Sequence, residues 1–147
     1  MNLYLDTSAL IKRYIREQGT DEVNLWVAEA EITATSIITI AEANAALARA
    51  ARMKNISHQT GEAAGRLLRE QWPRTIKTPI TERTVARAAE LAWALGLRGY
   101  NAVHLASAEL WQISLGIPVR LVTYDNQLAV GARQLGLDVL PQFSAIE

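Results

Sequence analysis

Leu3-Tyr4-Leu5-Asp6-Thr7-Ser8-Ala9-Leu10 decides the fold. Residues 2–5 are an apolar run short enough to be a buried strand, and Asp6 stops it. From residue 7 the spacing changes: Leu10, Ile11, Tyr14 and Ile15 recur at helical intervals, which predicts a helix over 7–17 ended by Gly19. Working outward, a helix is predicted over 20–29 and a β-branched strand over 32–36. An Ala-rich helix follows over 39–53, then a helix over 57–72 closed by Pro73, and a short strand over 75–79. Helices over 81–95 and 100–113 end at Gly96 and Gly116. Strand 119–123, helix 126–135 and strand 139–140 complete the chain. Strands alternating with helices imply an α/β fold, a three-layer arrangement with a parallel sheet of about five strands covered on both faces. The surplus of helices between the third and fourth strands places the chain reversal there and gives the order 3-2-1-4-5. The ligand crevice then lies beyond the carboxyl ends of strands 1 and 4.

The 147 residues, 16.2 kDa, suffice for one core and are read as a single domain, 1–147. Fifteen basic and fifteen acidic residues cancel, so a polyanion would have to be bound by a local patch and not by the global field. The absence of cysteine excludes disulfides, zinc–thiolate sites and thiol catalysis. Asp6 interrupts the N-terminal apolar run too early for a signal peptide, and no apolar run is long enough for a membrane span. A cytoplasmic protein with no membrane partner is expected.

Aspartate is rare, occurring only at 6, 21, 125 and 138. Asp6 and Asp125 stand just past strands 1 and 4, neighbours in the expected sheet. Glu42 opens the helix after strand 2, and Asn101 opens the helix before strand 4. Converging carboxylates repel, and a divalent cation relieves the repulsion. Oxygen ligands without cysteine or a histidine cluster suit Mg²⁺ or Mn²⁺, which activates water against a phosphodiester. Each residue is also a plausible helix cap: Asp6, Asp125 and Asn101 directly, Glu42 through a capping box with Thr39. Capping and ligation are compatible, because a carboxylate has several lone pairs. The hydroxyls of Thr7 and Ser8 could support the site or merely occupy a first helical turn. Arg49, seven residues after Glu42, shares its helix face across Ala45 and Ala46 and could reach a phosphate, with Lys12, Arg13 and Arg16 as the opposite wall; a solvated basic face is the plainer reading. His104 reads as a partly buried, hydrogen-bonded structural residue and His58 as a surface one. The tryptophans read as core or interface anchors. Tyr100 and Tyr124 adjoin the site and could line the sheet end or stack on a base.

Four stretches, in order, resemble the motifs of the PIN-domain ribonucleases, specifically the VapC toxins of VapBC toxin–antitoxin modules. They are Leu3-Tyr4-Leu5-Asp6-Thr7-Ser8-Ala9-Leu10, Thr35-Ser36-Ile37-Ile38-Thr39-Ile40-Ala41-Glu42, Leu97-Arg98-Gly99-Tyr100-Asn101-Ala102-Val103-His104 and Leu121-Val122-Thr123-Tyr124-Asp125-Asn126. The resemblance implies a PIN-like sheet, Mg²⁺- or Mn²⁺-dependent endoribonuclease activity on RNA, homodimers and neutralisation by a VapB-type antitoxin. It carries the acidic quartet onto Asp6, Glu42, Asn101 and Asp125, and a supporting hydroxyl onto Thr123. Position 101 departs from the pattern, which has aspartate there. An amide oxygen ligates a hard cation without adding charge and cannot act as a general base, so weaker metal binding and lower turnover are expected.

Two other functions compete. An aspartyl-phosphate enzyme or receiver domain also places an Asp after strand 1, but Ser8 stands where a phosphatase of that type has a second Asp, and no lysine follows Lys77. A PIN-fold protein that binds RNA or antitoxin without cleaving is the other.

Overall fold

The computed structural model describes residues 1–142. Strands β1 (Asn2–Leu5), β2 (Ile32–Ser36), β3 (Ile76–Thr78), β4 (Val119–Val122) and β5 (Asp138–Leu140) form one all-parallel sheet in the order β3-β2-β1-β4-β5. The seven α-helices among the described residues are α1 (Thr7–Leu10), α2 (Thr20–Glu29), α3 (Thr39–Arg52), α4 (His58–Gln71), α5 (Glu82–Leu95), α6 (Gly99–Leu115) and α7 (Asn126–Leu135). The expected order and the reversal between β3 and β4 are both present.

Every residue of β1 is buried, because helices cover both faces of the central strand. Alternation along the pleat sends Tyr4, with Leu121 and Val119, toward α5, α6 and α7. Leu3 and Leu5, with Val122 and Leu140, face a second cluster holding Leu10, Val23, Ala43 and Leu68. Leu121 is fully buried. Leu121→Ala should destabilise the protein by about 2–5 kcal/mol, measured by urea unfolding, because the rigid sheet cannot collapse into the vacated space.

The expected 7–17 helix is broken. After α1 the chain makes a 3-10 turn, Ile11–Arg13, and leaves helical geometry. Side chains replace the missing helical bonds: the Lys12 ammonium donates to the Gln18 carbonyl, and the Thr20 hydroxyl caps the Glu17 amide. The turn lets Gly19, at φ +96°, press against Tyr124, where an added Cβ would stand 3.0 Å from the ring. Trp26, Trp72 and Trp111 pack against the two cores, whereas Trp93 is 92 % exposed and anchors neither.

Candidate metal centre at the sheet switch point

Parallel pairing of β1 with β4 sets Leu5 opposite Val122, so the next residues out, Asp6 and Thr123, are neighbours. The Asp6 amide continues the ladder to the Val122 carbonyl. The Asp6 carboxylate, only 3 % exposed, receives three hydrogen bonds. The Ser8 hydroxyl (2.7 Å) and the Ala9 amide (2.9 Å) donate to Oδ1, and the Thr123 hydroxyl donates to Oδ2. Each hydroxyl also accepts an amide from the β4–α7 turn: Ser8 from Tyr124 (2.9 Å) and Thr123 from Asp125 (3.0 Å). Two hydroxyls thus tie the first aspartate to the backbone that carries the second. Burial pushes the Asp6 carboxyl up; the charge of His104 and the bonds from Thr123, Ser8 and Ala9 oppose the rise without cancelling it.

Asp125 is the N-cap of α7, its Oδ1 accepting the Leu128 amide at 3.0 Å, and Asp6 caps α1 in the same way. Both capping expectations hold, and in both residues the cap leaves acceptor capacity unspent. Asn101 does not cap. Helix α6 starts two residues earlier with Arg98 as N-cap, so Asn101 sits in its first turn, its side chain without a hydrogen bond among the described residues. It lines a cavity of about 580 Å³ with Arg98, Gly99, Tyr100, Val103 and Asp125.

Glu42 does not enter the expected capping box either. The N-cap of α3 is Ile38, and the Thr39 hydroxyl bonds the Thr35 hydroxyl. Glu42 Oε1 accepts instead from the Thr7 hydroxyl at 2.6 Å and from His104 Nε2 at 2.7 Å. Burial tends to raise the Glu42 carboxyl, but the bonds from His104 and Thr7, with the charge of His104, outweigh it and hold the group below the usual carboxylate range. His104 is hydrogen-bonded as expected but buried almost completely rather than in part, and its position against Glu42 is not legible in the sequence, since 62 residues separate the two.

Arg49 is exposed on the last turn of α3 and lines neither this cavity nor the one that holds Arg13. Arg13 opens on a separate cavity of about 410 Å³, with Tyr14, Gln71 and Arg74. His58 is a surface residue, 3.6 Å from Glu62. The Tyr124 side chain is committed within the fold, its hydroxyl donating to Glu22 at 2.6 Å and the Lys12 ammonium lying 4.3 Å from its ring centroid. It is not free to stack on a base, whereas Tyr100 is 64 % exposed at the cavity.

Among the described residues no three His, Cys, Asp or Glu side chains come together closely enough to hold a metal ion. Asn101 supplies no charge, and Glu42 is drawn toward Thr7 and His104. The donor chemistry still fits a hard cation: Asp6, Asp125, Asn101 and Glu42 offer oxygen only, and the latter three each keep an oxygen free of hydrogen bonds among the described residues.

The PIN domain family model matches residues 3–133. This chain belongs to the PIN-domain family. Ribonuclease VapC45 of Mycobacterium tuberculosis is 32 % identical to this PIN protein over 140 residues, 95 % of this chain and 94 % of the relative, which places the chain among the VapC-type members. Two solved structures share the PIN fold. PAE2754 from Pyrobaculum aerophilum has a TM-score of 0.65 at 24 % identity, covering 95 % of this chain and 84 % of that one. A toxin–antitoxin complex from Klebsiella pneumoniae has a TM-score of 0.66 at 18 % identity, covering 97 % and 98 %. Among the described residues of this PIN domain, no helix is long and apolar enough to cross a membrane.

Proposed function

We propose that this VapC-type protein is the toxin of a toxin–antitoxin module, an endoribonuclease dependent on Mg²⁺ or Mn²⁺. The observation that carries the reading is the pair of hydroxyls that tie the Asp6 carboxylate to the backbone amides of Tyr124 and Asp125 at the sheet switch point, with Asp125 and Asn101 lining one cavity. Asp6, Asp125, Asn101 and Glu42 would hold the cation. When bound, the cation supplies an activated water and a polarised phosphoryl oxygen. The chain supplies the frame: Ser8 and Thr123 fix the Asp6 oxygens, and Arg98, exposed and lining the cavity, offers a guanidinium to a phosphate. The name of the curated relative, Ribonuclease VapC45, supports RNA as substrate. The partners proposed with this activity are a VapB-type antitoxin and a second copy of the chain, in the cytoplasm.

A second reading, binding of RNA or antitoxin without appreciable cleavage, is favoured by Asn101 and by the lack of a three-acid cluster among the described residues. Cleavage of single-stranded RNA with Mg²⁺ or Mn²⁺, beside a chelator control, separates the two: metal-stimulated cleavage supports the first. Silence in both the parent and Asn101→Asp supports the second.

Arg49 and Arg13, both exposed, are the proposed phosphate contacts. Arg49→Ala should weaken RNA binding and reduce the slope of log affinity against log salt by about 0.7, one single-strand phosphate contact. Fluorescence anisotropy across a salt series in chelator checks this, and an unchanged slope removes Arg49 from the RNA path.

A further inference from the structure

We propose that His104 is a positioning residue: its ring, oriented by the Tyr4 hydroxyl, holds the Glu42 carboxylate at the edge of the acidic site. This rests on the reading of Glu42 as part of a cation site. Glu42 projects from the first turn of α3 on a side chain with several free torsions and is only half-buried. Left alone, such a carboxylate spreads over rotamers and turns toward water. Two other elements restrain it: Thr7 from α1 and His104 from α6 both bond the same oxygen, Oε1. The other oxygen has no hydrogen-bond partner among the described residues.

One hydrogen in this chain is fixed by its partner. An ionised carboxylate only accepts, so His104 Nε2 carries the hydrogen that goes to Glu42. In the neutral ring Nδ1 then has a lone pair, and the Tyr4 hydroxyl 2.9 Å away donates to it; in the charged ring that bond reverses, Nδ1–H donating to the same hydroxyl. Tyr4 is fully buried in the central strand, and its ring meets the imidazole edge-on at 5.9 Å and 71°. The neutral tautomer of His104 is therefore set from the core, and in either charge state the central strand of the sheet is linked through the ring to Glu42. A buried histidine kept only for packing needs neither the directed tyrosine bond nor a carboxylate partner from another helix.

The test is Mn²⁺ uptake by the RNA-free protein, followed by electron paramagnetic resonance, with the ring tautomer read from long-range ¹H–¹⁵N spectra. His104→Leu keeps the volume and removes the donor, and is expected to weaken Mn²⁺ binding about tenfold or more, the usual cost of losing an outer-shell partner. His104→Gln restores an N–H donor and should recover most of that loss. Tyr4→Phe should cost less affinity, while the Nε2-protonated signature expected in the parent gives way to a mixture. A His104→Leu protein that folds and binds Mn²⁺ like the parent overturns the proposal, as does a parent ring protonated on Nδ1 alone, with no hydrogen on Nε2. If His104→Leu does not fold, Tyr4→Phe decides: unchanged affinity and tautomer overturn the role. A parent that takes up no Mn²⁺ overturns the cation reading and this role together; a parent that binds while His104→Leu binds equally well overturns this role alone.

Discussion

Asn101→Asp is expected to raise kcat/KM for metal-dependent RNA cleavage at least tenfold, about 1.4 kcal/mol of transition-state stabilisation. The substitution is close to isosteric, and the Asn101 side chain makes no hydrogen bond among the described residues, so nothing in the fold has to move. It adds a fourth formal negative charge to those of Asp6, Glu42 and Asp125, at a cavity that Asn101 shares with Asp125. The helix tolerates that charge. The first turn of α6 has no acidic residue, and a carboxylate there is favoured by the helix dipole. The same variant should show a larger rise of Tm on adding Mg²⁺ than the parent, since tighter binding to the folded state stabilises it by mass action. Initial rates on a single-stranded RNA substrate, with and without chelator, are the measurement. Equal rates for the two proteins would show that position 101 carries no catalytic charge, and cleavage that survives the chelator would overturn the metal-dependent mechanism itself.

What the sequence discloses and what it hides follow one physical division. Asp6 and Asp125 are legible because each lies at a change of period from strand to helix, so their capping role is written locally and their convergence follows from the strand order. The strand order itself is legible because more helices stand between the third and fourth strands than one crossover needs, which marks where the chain reverses. Glu42 and Asn101 misled for the converse reason. Thr39 and Glu42 have capping-box spacing, but the Thr39 hydroxyl finds Thr35 and the Glu42 carboxylate finds Thr7 and His104, partners brought by other elements. Asn101 has a cap's identity, yet the helix begins two residues sooner at Gly99. The predicted helix over 7–17 fails because its apolar spacing continues while the chain must turn to bring Gly19 against Tyr124. Local pattern reports what a segment can do in isolation; contacts between distant segments choose among the options, and this site is assembled mostly from such contacts.

Asp6→Asn, made in the Asn101→Asp background, is expected to lower cleavage about a hundredfold or more and at the same time to raise the stability of the metal-free protein. The first effect follows from position. Asp6 is the buried member of the aspartate pair, and two hydroxyls spend their protons on it. An amide keeps an oxygen for the Ala9 amide and the Ser8 hydroxyl, so the cap survives while the charge is lost. The second effect follows from burial. A carboxylate whose folded-state pKa is raised is destabilising when ionised: it detracts from stability above the folded value, and the loss is recovered as pH falls through that value toward the unfolded one. Asparagine never pays this penalty. The stability difference between variant and parent should therefore be largest near neutral pH and shrink as the pH drops toward ordinary carboxylate values. Glu42 behaves oppositely, its lowered pKa giving stability above the unfolded value that is lost as pH falls through the folded one. Both proteins share that contribution, so it cancels in the comparison. Urea unfolding at several pH values, in chelator, reads the difference directly. A variant less stable than its parent at neutral pH would mean that the hydrogen bonds to Asp6 outweigh its desolvation, and that the carboxylate is held for the fold as well as for chemistry.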